Sequence, residues 1–224
     1  MRASQAAVAL AFSLALTRAD SLDDILKRMD AAAPQFKSMS ASLKRLNYSM
    51  RWDEKEEKTG TMRMQRTKDG PAALWDFTGK DPEVIRLKGK TARIYKPKAS
   101  IDQEYKAGKE VSSLQETLLL GFGARIADLK KTYDIQAGAA DTVGGKHATV
   151  IQLTPKSKDL KDIFTRIDLW IPDGESNPVQ EKIWKGTKGD YILATYSDLK
   201  INPNLPDSAF EFTPPAGTQV IQAN

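Results

Sequence analysis

The chain reads as an α+β protein, an incomplete antiparallel β-barrel of about eleven strands with helices covering its apolar interior. Three observations predict this. Apolar residues alternate with polar ones at a period of two, which gives a strand one apolar face and one wet face. Turn signals rich in Gly, Pro, Asn and Asp separate these segments at short intervals, the pattern of an antiparallel meander. Two stretches, residues 21–36 and 113–122, switch to helical spacing instead. Strands with one apolar face can curl into a barrel or half-barrel, and helices facing its interior would close it.

Met1 and Arg2 make a basic start, and residues 6–16 form an apolar run of eleven. Thr17 and Ala19 then place small residues before Asp20. Residues 1–19 thus read as a secretory signal peptide, since the run is too short to cross a bilayer as a helix. Residues 20–224 carry no Gly/Ser-rich linker and no internal repeat, and their length suits one domain.

Ser21 can cap the first helix, with Asp23 and Asp24 in its first turn and Leu22, Ile25, Leu26 and Met29 on one face. Pro34 weakens its far end. In residues 45–52, Leu46, Tyr48, Met50 and Trp52 alternate with polar neighbours, and residues 53–58 read as a charged turn. Residues 61–67 alternate again through Met62 and Met64, and residues 73–77 carry Trp75 and Phe77. Shorter strands follow at 84–87, 92–95 and 101–105, for six in this half. Ser113 and Glu116 have capping-box spacing for the middle helix, which Gly121 and Gly123 punctuate. A short helix is expected at 124–131. Strands resume at 133–136, 147–154, 166–171, 179–185 and 191–201.

Composition narrows the function. With 40% apolar residues the chain is no disordered segment. Zero cysteine removes disulfides, thiol catalysis, thiolate metal sites and lipidation on cysteine. The single His147 cannot build a His-rich metal site and reads as exposed and structural. Cleavage after Ala19 would remove Arg2 and Arg18 and lower the formal charge of +5 by two, which argues against nucleic-acid binding. Ser112 and Ser113 lack a glycine-framed nucleophile elbow, and no phosphate loop or dinucleotide fingerprint occurs. Lys156, Lys158 and Lys161 read as a solvated loop.

Three segments carry a family resemblance. Residues 210–217 spell Phe-Glu-Phe-Thr-Pro-Pro-Ala-Gly; Lys88-Gly89-Lys90 precedes Ile94-Tyr95-Lys96-Pro97; and Leu153-Thr154-Pro155-Lys156 precedes the strand at 166–171. In this order they resemble the LolA-like family of periplasmic outer-membrane lipoprotein carriers, over roughly residues 20–221. Two positions depart from it. Leu43-Lys44-Arg45 stands where the family often has Phe-x-Gln, and Leu74-Trp75 where it has Arg-Trp.

The resemblance implies a monomeric periplasmic carrier, not an enzyme and without a cofactor, that shields acyl chains of lipoproteins or lipids. It further implies an inner-membrane ATP-driven transporter that loads the carrier and an outer-membrane receptor that unloads it. The same half-barrel would also suit a periplasmic sensor that regulates a partner. An acyl chain costs roughly 0.8 kcal/mol per methylene left in water, so a carrier needs an apolar concavity. On this reading Leu46, Tyr48, Met50, Trp52, Met62, Met64, Trp75 and Phe77 line it from the strands, and Leu118, Leu119 and Phe122 from the middle helix. Methionine thioethers adapt to variable cargo shapes.

Overall fold

The computed structural model describes residues 20–106, 108–186 and 189–223. The signal-peptide reading of residues 1–19 lies outside the described residues. Helix α1 (Leu22–Ala32) starts at Ser21, whose hydroxyl accepts from the Asp24 amide. Pro34 converts its end into a 3₁₀ turn at Ala33–Gln35. Two long strands follow, β1 (Ser38–Ser49) and β2 (Glu54–Thr67). Then come β3 (Gly70–Thr78), β4 (Glu83–Lys88), β5 (Thr91–Lys96) and β6 (Ile101–Lys106). Helices α2 (Lys109–Leu119) and α3 (Ile126–Thr132) interrupt the sheet-forming chain. Strands β7 (Tyr133–Val143) and β8 (Lys146–Pro155) precede the one-turn helix α4 (Lys158–Lys161). The chain then builds β9 (Arg166–Pro172), β10 (Gln180–Lys185), β11 (Asp190–Ile201) and β12 (Gln219–Ala223).

All twelve strands join one sheet in the order β12-β6-β5-β4-β3-β2-β1-β11-β10-β9-β8-β7. Every pairing is antiparallel except β12 on β6, which is parallel. The ends of this order, β12 and β7, do not pair, so the barrel stays open, as the alternation predicts. The twelfth strand was invisible in the sequence because five residues after a Pro-Pro turn carry too little periodicity.

Several boundaries differ from expectation, each for a physical reason. β1 begins at Ser38 rather than 45, and its inward register is Met39, Ala41, Leu43 and Arg45. The 53–58 segment, expected as a turn, forms the start of β2. Glu54, Glu56 and Glu57 there pair in register with Ser49, Asn47 and Leu46, and the Asn47 amide donates to Glu56 at 2.9 Å. The lysine loop holds α4, capped by the Ser157 hydroxyl. Helix α2 starts after Gly108, five residues before the expected cap at Ser113.

The concave face carries two apolar clusters. α1 and α3 bury Ile25, Leu26, Met29, Ile126 and Leu129 on Ile151, Leu153, Ile167, Leu169 and Ile171 of β8 and β9. α2 buries Val111 and Leu118 over Met39, Met62, Met64, Trp75 and Phe77 of β1 to β3. On the convex face the C-terminal run crosses β3 to β5. Phe210 is buried, the Phe212 ring lies tilted 5.2 Å from that of Tyr95, and the Arg86 guanidinium donates to the Phe210 carbonyl at 3.1 Å. This strap explains why Ala72 and Leu74 of β3 are buried on the face opposite Trp75.

Asn202 ties β1 to β11. Its side-chain oxygen accepts from the Lys37 and Ser38 amides at 2.7 and 3.3 Å, and its amide donates to the Gln35 carbonyl at 2.9 Å. Its φ of 57° also suits Asn better than most residues. Asn202→Ala is expected to cost about 1–2 kcal/mol in urea unfolding, the lower end reflecting its exposure. An unchanged midpoint would show that water replaces the clamp.

Candidate cavity under helix α2

Among the described residues the concave face leaves an apolar cavity where β10, β11 and β1 meet the edge of α2. Its volume is about 150 Å³. Leu43, Met62, Trp75 and Ile85 line it from β1 to β4, Leu114, Thr117 and Leu118 from α2, and Ile183, Ile192 and Ala194 from β10 and β11. Its polar groups are Arg45, Glu181, Tyr196 and Thr117, whose hydroxyl donates to the Leu114 carbonyl at 3.2 Å. Strand register explains the set. Ala194 of β11 lies opposite both Arg45 of β1 and Glu181 of β10. The three form one cross-strand row whose side chains face inward, with the smallest in the middle.

Charge in this row is arranged unevenly. The Arg45 guanidinium stacks 4.3 Å from the Phe77 ring centre and pairs with Glu83 at 3.0 Å. Lys58 pairs with the other Glu83 oxygen at 2.9 Å. Arg45, Lys58 and Glu83 also line a polar recess of about 420 Å³ beside the apolar one. Glu181 has no cation on it among the described residues. It is 7% exposed, and its carboxylate accepts from the Tyr196 hydroxyl at 3.3 Å. Burial pushes its pKa up to about 7, against a smaller lowering by Tyr196. Burial, then Glu181, raises Tyr196 in turn. Burial lowers Lys185, farther along the same inward face, and the charge of Arg45 adds to that.

The residues expected from sequence divide between the two faces. Met62, Trp75 and Leu118 line the cavity. Met64, Phe77 and Phe122 are buried in the surrounding core, with Leu119 packed against it. Leu46, Tyr48, Met50 and Trp52 are corrected. Leu46 lies with Lys44, Leu193 and Thr195 along a groove on the convex face. The Tyr48 ring lies tilted 5.0 Å from that of Tyr191, and its hydroxyl donates to Asp53 at 3.0 Å. Met50 and Trp52 sit past the end of β1, 57% and 66% exposed. The alternation in residues 45–52 was real but belonged to the other face. A strand with period two offers two registers, and the inward one is settled by Met39, Ala41 and Leu43. Glu181, Ile192 and Tyr196 were missed because β10 and β11 alternate less cleanly than β1.

The middle glycines serve packing. A side chain at Gly121 would overlap Pro178, and Gly123 holds a φ of 100° against Phe36 and Arg66. They pin the C-terminal end of α2 to the domain. Elsewhere the Gln115 amide of α2 donates to the Gly89 carbonyl at 2.7 Å, and its apolar face packs on the sheet. His147 is half-exposed, its ring nitrogen 2.7 Å from Asp173, and no group of metal-ligating side chains occurs among the described residues. No described helix is long and apolar enough to cross a membrane.

No family model matches the chain. Among curated proteins, the outer-membrane lipoprotein carrier protein of Ralstonia nicotianae is 28% identical over 150 residues, 66% of this chain and 63% of that relative. The match therefore spans less than two thirds of that relative's length. The carrier protein of Dechloromonas aromatica is 25% identical over 204 residues, 90% of this chain and 86% of the relative. These relatives point to the lipoprotein-carrier superfamily. The fold agrees with a solved structure, an uncharacterized conserved protein from Thermus thermophilus. It aligns with a TM-score of 0.54 at 12% identity, over 91% of this chain and all of that one.

Proposed function

We propose that this protein is a periplasmic, non-enzymatic carrier that shields the acyl chains of lipoproteins or lipids beneath α2. The observation that carries this reading is the apolar cavity between the sheet and the apolar face of α2. The relatives that share most of the chain are named as lipoprotein carriers, which supports it.

At about 150 Å³ the cavity is of the size that admits benzene, below the roughly 300–1,000 Å³ of typical ligand sites. An acyl chain therefore enters by lifting α2 about its pinned end and widening the space. Entry exchanges helix-to-sheet apolar contact for chain-to-sheet contact, so the net affinity stays moderate and the cargo can be handed on. An inner-membrane transporter that loads the carrier and an outer-membrane receptor that unloads it fit this cycle.

The test is the protein exported to the periplasm, purified without detergent, and extracted with organic solvent for mass spectrometry. The expected result is an acylated molecule in near-equimolar amount, released on unfolding. An empty extract, together with no saturable uptake of a fluorescent fatty acid, would refute the carrier reading.

A further inference from the structure

Glu181 is an anomaly in an acyl-chain cavity. Pure shielding of hydrocarbon is served best by an apolar wall, and a buried carboxyl is costly unless something bonds it. One of its oxygens accepts from Tyr196, while Oε1 is buried and without a hydrogen-bond partner among the described residues. Arg45 does not close the gap. Its guanidinium pairs with Glu83 and lies over Phe77, its buried Nε is likewise without a hydrogen-bond partner among the described residues, and Ala194 separates it from Glu181 in the row. Glu181 lines the cavity beside the small Ala194, with Ile183, Ile192 and Leu114 around it, and a hydroxyl reaches the closed-off Oε1 once α2 lifts.

We infer that Glu181 and Tyr196 form a polar subsite within the cavity that takes a hydroxyl group carried on an apolar chain. The inference rests on the carrier reading and narrows its cargo to hydroxylated acyl chains or alcohols. A hydroxyl is the group that fits because it both donates and accepts. It can donate to Oε1 when the carboxyl is ionised and accept from it when protonated. A ligand carboxylate would meet like charge in one of those states, and an ammonium would lose its partner in the other. A plain hydrocarbon would leave Oε1 unbonded, so the subsite also discriminates against it.

Decanol and methyl nonyl ether are isomers that differ in the hydroxyl proton, and both are used as probes of the purified wild-type chain. Decanol is expected to bind about tenfold more tightly, the effect of one buried hydrogen bond to an otherwise unpaired group. Glu181→Leu should erase the preference between the isomers, and Glu181→Gln should retain most of it, with circular dichroism verifying both folds. Equal binding of the isomers by the wild type, or a preference that survives in Glu181→Leu, would overturn the subsite and leave the carrier reading intact. If neither isomer binds, the carrier reading falls and the subsite with it.

Discussion

Replacing Glu181 with Gln is expected to stabilise the protein at about pH 8 and to flatten part of its pH dependence. The carboxyl has a reference pKa of 4.5 and, buried, is raised to about 7. The folded state therefore holds the proton more tightly than the unfolded chain. Its contribution is fully present below about 4.5, declines as the pH rises through 7, and is lost above. The lifted pKa corresponds to a penalty of about 3 kcal/mol at alkaline pH. The groups facing it are Tyr196 from β11, whose hydroxyl it accepts, Arg45 from β1 across Ala194, and Lys185 along β10. Neither cation lies among the causes of the shift, so burial dominates. In urea unfolding, the gap between Glu181→Gln and wild type should shrink by about 3 kcal/mol between pH 8 and pH 4.5. Parallel stability curves would mean that water or a counter-charge reaches the carboxyl.

The second large effect separates the two faces of the sheet. Leu114 of α2 lines the cavity and is only half-buried, so Leu114→Asp should fold. An entering acyl chain would then have to desolvate or neutralise a carboxylate, and affinity for a fluorescent fatty acid should drop at least about tenfold. Trp52→Asp, past the end of β1 with most of its ring in water, should change affinity by less than about twofold. The reverse outcome, with Trp52→Asp weakening binding and Leu114→Asp leaving it intact, would move the binding face to the convex side.

This contrast also shows what the sequence could reveal. The one-faced strands and the two principal helices were legible, because alternation and helical spacing report burial directly. Met62 and Met64 lie on the only apolar register of β2, whereas β3 carries Ala73, Trp75 and Phe77 on one face and Ala72 and Leu74 on the other, where the larger aromatic pair marks the inward side. In β1 both registers carry apolar residues, Met39-Ala41-Leu43 on one face and Leu46-Tyr48 on the other. The choice between them was made by the partner strands: Met39 pairs with Met64, and Ala41 with Met62. Such pairing is long-range information that a local pattern does not hold. Glu181 was unreadable for a related reason. Its neighbours Gln180 and Lys182 are polar, so nothing local marks the middle residue as the buried one.

The central claim is that an acyl chain occupies the space beneath α2, and Trp75 in its wall is the natural reporter. In a variant whose Trp52, Trp170 and Trp184 are replaced by Phe, Trp75 fluorescence is measured while stearate carrying a nitroxide on its chain is added. Saturable quenching that ends near one stearate per protein, and is reversed by unlabelled stearate, is the expected result. Unquenched Trp75 at concentrations where the labelled stearate is demonstrably bound would place the chain elsewhere and contradict the claim.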